Sequence, residues 1–145
     1  MEKMIEVKKF RTFDQELAKA AFRIREAVFV EEQNVDRAEE YDEFEDEAIH
    51  FLAYYNEVPV ATARWRNTSK GIKLERFAVL KSYRGKGIGE AVLEAVLKDV
   101  PKNKGEIYLH AQVSALGFYE KNNFTKSGDL FEEANIQHYK MTYPQ

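Results

Sequence analysis

The chain has 145 residues and a mass of 16.9 kDa, the size of one domain that buries enough apolar surface to fold without a staple. Its 44% hydrophobic and 13% aromatic content excludes disordered and fibrous chains, and the absence of cysteine excludes disulfides, thiolate metal sites and cysteine nucleophiles. Basic side chains number 22 against 25 acidic ones, a net charge of −3, so no global basic field exists for nucleic acid.

No run approaches the ~18 apolar residues of a membrane span, and the start MEKMIEVKKF has no apolar leader core. These features predict a cytoplasmic chain, one domain over residues 1–145, with neither membrane nor nucleic acid among its partners. Ile5 and Val7 alternate with charges, a short first strand ending near Phe10. Asp14 resembles an N-cap, and Leu17, Ala20, Ala21, Ile24, Ala27 and Val28 recur at helical spacing, predicting a helix to about Gln33. Glu39, Glu40, Asp42, Glu43, Glu45, Asp46 and Glu47 then crowd carboxylates into 39–47. This run reads as a solvated loop, or else as a lure for a cationic partner.

The texture turns to β from Ile49. Strands are predicted over 49–55, 58–66 and 72–79, joined by turns at Asn56-Glu57 and 67–71, an antiparallel meander. A glycine-rich loop follows, then a helix over 90–100 with Ile88, Val92, Ala95 and Val96 on one side, barred from continuing by Pro101. A strand opens after Gly105, a short helix covers ALGFYEKN, and two strands lie near 124–127 and 137–143. Strands and helices mix without strict alternation, which predicts an α/β (α+β) domain with a central mixed, mostly antiparallel sheet flanked by helices.

Arg84-Gly85-Lys86-Gly87-Ile88-Gly89 carries the most chemical information. Glycines let a backbone approach a ligand closely, and the first amides of a helix have no internal partner. An anion there meets free donors, the positive end of the helix dipole and two cations, so the loop reads as a pyrophosphate cradle; a glycine-rich turn that only starts a helix is the alternative. The Walker pattern is absent, and the dinucleotide fingerprint fails because the third glycine is at 89 rather than 90. The segment does match R-x-x-G-x-G, as Arg84-x-x-Gly87-x-Gly89.

That loop, the strand Leu74-Glu75-Arg76-Phe77-Ala78-Val79 before it, and the block Gly117-Phe118-Tyr119-Glu120-Lys121-Asn122-Asn123-Phe124 resemble the GNAT superfamily of acyl-CoA-dependent N-acyltransferases over nearly the whole chain. Asn123 stands where family members commonly have glycine, a mild departure because Asn tolerates the left-handed conformation. A narrower likeness, to the ElaA/YjcF-like branch, draws on 25–33, Asp42, Asp46, His50, Ala111-Gln112 and 136–141. The resemblance implies acetyl-CoA as cosubstrate without a metal, and direct transfer of acetyl to a primary amine of a small molecule or peptide. It implies a pyrophosphate held at Arg84, Gly85, Lys86, Gly87, Ile88 and Gly89, and a pantetheine arm along Phe77, Ala78 and Val79. Gln112 and Phe118 fall on the cofactor side, Phe118 with core packing as its alternative. A CoA-binding sensor or interaction module without turnover, and a nucleotide-phosphate binder unrelated to CoA, are the competing classes. The chain is expected as a monomer or homodimer.

Acetylating an amine of pKa near ~10.4 requires removing a proton, since only about one molecule in a thousand is neutral at pH 7. Tyr119 is the candidate acid for the departing thiolate, as the resemblance implies, or an amphipathic Tyr under the sheet. Glu75 is a candidate base; strand alternation puts it with Phe77 and Val79, opposite Leu74, Arg76 and Ala78, and a salt bridge within the sheet is the alternative. His50 and His138 are further titratable candidates, each with a structural role as its alternative, whereas His110 reads as packing or a hydrogen bond. Glu32 and Gln33, at the end of the first long helix, and Arg76 are candidates for holding the acceptor. An EF-hand fails for want of its glycine, and Asp46 with His50 lacks a third metal ligand.

Overall fold

Residues 4–144 are described by the computed structural model; residue 145 and residues 1–3, part of the start inspected for a leader, lie outside it. Strand β1 (Ile5–Phe10) ends as expected, and α1 (Gln15–Arg25) begins where the Asp14 carboxylate accepts a hydrogen bond from the Leu17 amide. Its stripe of Ala18, Ala21 and Ile24 is buried against the sheet. The helix continues as a π-helical stretch, Glu26–Glu32, with the Gln33 amide bonding the Val28 carbonyl five residues back. After α2 (Arg37–Glu40), capped by Asp36, the acidic segment leads into β2 (Ile49–Tyr55), β3 (Val58–Thr68) and β4 (Gly71–Val79). Asn56 and Glu57 both have positive φ, 48° and 72°, as a tight two-residue hairpin requires.

Helix α3 (Ile88–Asp99), β5 (Glu106–Gln112) and α4 (Leu116–Lys121) follow, and then β6 (Thr125–Lys126), β7 (Phe131–Glu133) and β8 (Ile136–Tyr143). Strand β7 was not expected, since three residues are too few to display an alternation. The eight strands form one sheet in the order β1-β2-β3-β4-β5-β8-β6, with β7 on β8. Every described pairing is antiparallel except β4–β5. Helices α3 and α4 cover one face with the larger apolar cluster, and α1 covers the other. No described helix is long and apolar enough to cross a membrane.

Two irregularities in β4 create the functional region. Strands β4 and β5 pair from Gly71↔Glu106 only to Leu74↔Leu109 and then diverge. Gly71 permits their close start, because a Cβ there would lie 2.2 Å from the Glu106 carbonyl oxygen. Further along, Arg76 adopts φ 60° and forms a bulge: Arg64 pairs with Glu75 and Thr62 with Ala78, so Arg76 and Phe77 oppose Ala63 alone. The extra residue resets the alternation. Leu74, Phe77 and Val79 pack on the α3 side while Ala78 packs on the α1 side, which corrects the simple two-residue pattern expected for this strand.

Candidate active site

A cavity of about 670 Å³ opens where β4 and β5 part. The edge of β4 left by β5, residues Phe77, Ala78 and Val79, forms one wall, and Gln112, Phe118 and Tyr119 line it from the other side. Gln33, His110, Glu133 and His138 line the part nearer α1 and the β7–β8 hairpin.

The glycine loop ends in Gly87, the N-cap of α3, at φ 81° and without a side-chain cap. The first helical bond comes from the Ala91 amide to the Gly87 carbonyl, so the amides of residues 88–90 have no partner within the helix. A Cβ on Gly87 would meet no protein atom within 4 Å, which leaves the loop backbone approachable. Ile88 is buried in the core and offers the site only its backbone. The Lys86 ammonium lies 5.8 Å from the centre of the Tyr55 ring. Arg84 is not free beside the loop: it donates to both Glu32 carboxylate oxygens at 2.7 and 2.8 Å, and through Nε to the Val79 carbonyl at 2.9 Å. That bond holds the Glu32 carboxyl below its ordinary value. Glu32 therefore fastens the π-helical stretch to the phosphate loop and does not line the cavity, a correction to its expected place beside the acceptor. Gln33 does line it, accepting a hydrogen bond from Gln112 Nε2 at 2.8 Å across the mouth.

Tyr119 is buried, with its ring edge-on to Phe77, Phe118 and Phe124 at 6.0, 5.1 and 5.7 Å. Burial pushes its phenol well above the ordinary value, so it is protonated at neutral pH and is a weaker acid than a free phenol. Glu75 is different. Arg64 and Arg66 reach it at 2.8 Å each and Lys73 at 3.2 Å. Burial alone would raise its carboxyl, but the Arg64 charge and the Arg66 and Lys73 contacts outweigh that and hold it at about 2. An anion so well compensated is a poor proton acceptor, which removes Glu75 from the candidate bases. Arg76 borders the cavity, but its guanidinium is bonded to the Glu40 carbonyl and to Asp42.

His50 is outside the cavity. Its ring stacks on Phe10 at 5.3 Å, Nε2–H donates to the Glu45 carbonyl at 2.8 Å, and burial pushes it down to a neutral imidazole. A structural clamp replaces the expected catalytic role. His138 does line the cavity, with Nδ1–H donating to the Ile136 carbonyl at 2.7 Å. The acidic run is solvated only in part: Glu40 and Glu45 bind Arg25 at 2.7 and 2.8 Å, and Asp42 and Glu45 bind Arg64 at 2.7 and 2.8 Å, while Glu39, Glu43, Asp46 and Glu47 stay exposed. Sequence reading missed Arg64 and Arg66, although two arginines two positions apart, and so on one face of a largely apolar strand, were a visible signal. It also missed Glu133, for which the short β7 gave none. Among the described residues no three His, Asp or Glu side chains form a metal-ligand group.

Residues 10–144 match the family model described as an acetyltransferase (GNAT) domain. The uncharacterized N-acetyltransferase YjcF of Bacillus subtilis (strain 168) is 41% identical over 130 residues, 88% of this chain and 93% of its own length. Escherichia coli ElaA superposes with a TM-score of 0.85 at 25% identity, over 97% of this chain and 100% of its own. Arabidopsis thaliana Naa50, solved in complex with the bisubstrate analogue CoA-Ac-MVNAL, gives 0.72 at 28% identity, over 97% and 99% of the two chains.

Proposed function

This chain belongs to the GNAT family of N-acetyltransferases, and we propose that it transfers the acetyl group of acetyl-CoA directly to a primary amine of a small molecule or peptide. The observation that carries the reading is one cavity joining the β4 edge that β5 leaves to a buried Tyr119, with the uncapped start of α3 following β4 in the chain. The amides of 88–90 would take a pyrophosphate, assisted by the backbone of Gly85, Lys86 and Gly87. The edge at Phe77, Ala78 and Val79 offers backbone groups to the amide-bearing arm of CoA, and Gln112 and Phe118 would flank that arm. Tyr119 would then protonate the departing thiolate, while Gln33 and Arg76 border the space for the acceptor.

Location in the cytoplasm is part of the same proposal, since acetyl-CoA is supplied there. The test is thiol release from acetyl-CoA with a panel of alkylamines, polyamines and short peptides, alongside melting curves with CoA and with ATP. Turnover with at least one amine and a thermal shift with CoA alone are expected. A shift with CoA but no thiol release from any amine would favour a binding module, and an equal shift with ATP would favour a general phosphate binder. At 100 times its dissociation constant CoA should stabilise the fold by ~2.7 kcal/mol, an easily measured shift.

A further inference from the structure

The charged side chains that line the cavity leave an excess of negative charge. Every arginine and lysine among them is already bound to a carboxylate: Arg66 and Lys73 to Glu75, Arg76 to Glu40 and Asp42, and Arg84 to Glu32. Among the described residues, the lining carboxylates Glu39 and Glu133 have no Lys or Arg partner. Glu133 ends β7, beside the hairpin turn at Ala134 and Asn135, whose φ angles are 52° and 62°. The His110 Nδ1–H donates to its Oε2 at 3.4 Å, and this contact holds the carboxyl below its ordinary value, as an anion. Its Oε1 faces His138 Nε2 at 4.0 Å. The His138 hydrogen is on Nδ1, bonded to the Ile136 carbonyl, so Nε2 presents a lone pair. The His138 side chain is only 8% exposed, and Nε2 has no hydrogen-bond partner in the protein. Two acceptors, one of them charged, therefore face each other at the cavity wall with no hydrogen between them, which is unfavourable until a donor enters. A separation of 4.0 Å lets one ammonium nitrogen sit about 2.8 Å from both.

We propose that Glu133 and His138 form a subsite for a second, non-reacting ammonium of the acceptor, so that the substrate class is a diamine; the inference rests on the amine transfer proposed above. The pair suits a nitrogen that keeps its charge. A neighbouring carboxylate favours the charged form of an amine, whereas the nitrogen that attacks the thioester must give up a proton. The reacting amine therefore lies towards Tyr119 and the β4 edge, and the second ammonium stays at the β7–β8 hairpin. Val28 and Phe29 of the π-helical stretch, with Ala134 and Ile136 of the hairpin, line the same cavity and offer apolar surface to a methylene spacer. The charge excess selects in the same sense. A carboxylate or phosphate in place of the second ammonium would meet Glu39 and Glu133, with every lining cation already bound. A methyl group there would leave both acceptors without a donor.

The experiment measures kcat/KM at about pH 8, where imidazoles are neutral, for a series of α,ω-diamines. Matched alkylamines and ω-amino acids, in which a methyl or a carboxylate replaces the second ammonium, serve as the comparison. For wild type the best diamine should exceed its matched alkylamine by about tenfold, with the ω-amino acid slower than either. Because Glu133 is half-exposed, about 0.5 M salt should shrink that ratio. Glu133→Gln should bring the ratio close to one and Glu133→Asp should keep part of it, while Glu133→Lys should make the ω-amino acid the best of the three. His138→Phe, which keeps a ring and removes the lone pair, should lower the ratio as well. A purely structural Glu133 would slow diamine and alkylamine alike and leave the ratio in place. A wild-type ratio near one, or a wild-type ratio retained in Glu133→Gln, overturns the inference. Transfer to peptides without transfer to any diamine overturns it too, and in each of these cases the amine-transfer reading stands. Should Glu133→Gln fail to fold, a wild-type ratio that salt leaves unchanged overturns it instead. A wild type that acetylates no amine of any kind defeats the parent reading as well.

Discussion

Tyr119 is buried among aromatic rings, and that burial lets the hydroxyl be removed with little loss of packing. Tyr119→Phe deletes one donor and almost no volume, so the melting temperature and the CoA thermal shift should stay at their wild-type values. General acids contribute 10²–10⁴-fold, and a thiol of pKa about 8.5 leaves readily, so a fall in kcat near the lower figure is expected. Steady-state thiol release at saturating acetyl-CoA measures it; an unchanged kcat in a folded variant would assign the proton to water. Gly87 poses the opposite case. A Val there meets no protein atom but must adopt φ 81°, a costly conformation for a β-branched residue. The variant should therefore fold with a lowered melting point and gain no stability from CoA. A wild-type CoA shift in Gly87→Val would remove the cradle from the loop.

Among elements, α4 shows how local chemistry was legible in the sequence. Asn123 follows its C-terminus at φ 75°, the left-handed geometry for which Asn substitutes for glycine, and the Phe124 amide closes the helix on the Tyr119 carbonyl at 3.0 Å. Asn123→Ala should cost about 1 kcal/mol in urea unfolding while Asn123→Gly is neutral or slightly stabilising; equal losses in both would mean that the Asn side chain matters rather than the backbone. The hairpins, α1 with its Asp14 cap and the glycine loop were legible for the same reason: each is specified by residues close together in sequence. The bulge in β4 was not. Arginine does not announce a positive φ, and Arg76 holds it with tertiary partners, the Glu40 carbonyl and Asp42, more than 30 residues away. Glu75 was readable as a residue needing a partner, but which partner depended on the β3–β4 register. His110 was readable as packing or a hydrogen bond, but its partner Glu133 lies on a strand too short to be seen.

At the scale of the whole molecule, Arg25 and Arg64 are 1% and 0% exposed, and they bind α1, α2, the acidic segment, β3 and β4 into one ionic layer. Buried charges are tolerated only when paired, so this layer makes stability depend on pH. The Glu75 carboxyl is drawn from 4.5 to about 2, so its contribution is full above the unfolded value and is lost as pH falls towards 2. The shift corresponds to on the order of 3 kcal/mol. Asp42 and Glu45 are lowered too and act in the same direction. Glu40 acts in the opposite sense, because burial raises it and its contribution fades as pH rises. The net expectation is a stability that falls between about pH 5 and pH 2. Arg64→Met tests whether charge or volume is responsible. At pH 7 it strands the Glu75, Asp42 and Glu45 carboxylates around a missing cation and should cost ~3–5 kcal/mol. Without Arg64 those carboxyls rise towards or above their unfolded values and take up protons near pH 4, so the variant should lose less there than at pH 7. Urea titrations of both proteins at the two pH values provide the comparison, and 0.5 M salt should alter it little because Arg64 and Glu75 are buried. An equal deficit at both pH values would assign the loss to the volume of the Arg64 side chain and leave its charge without effect.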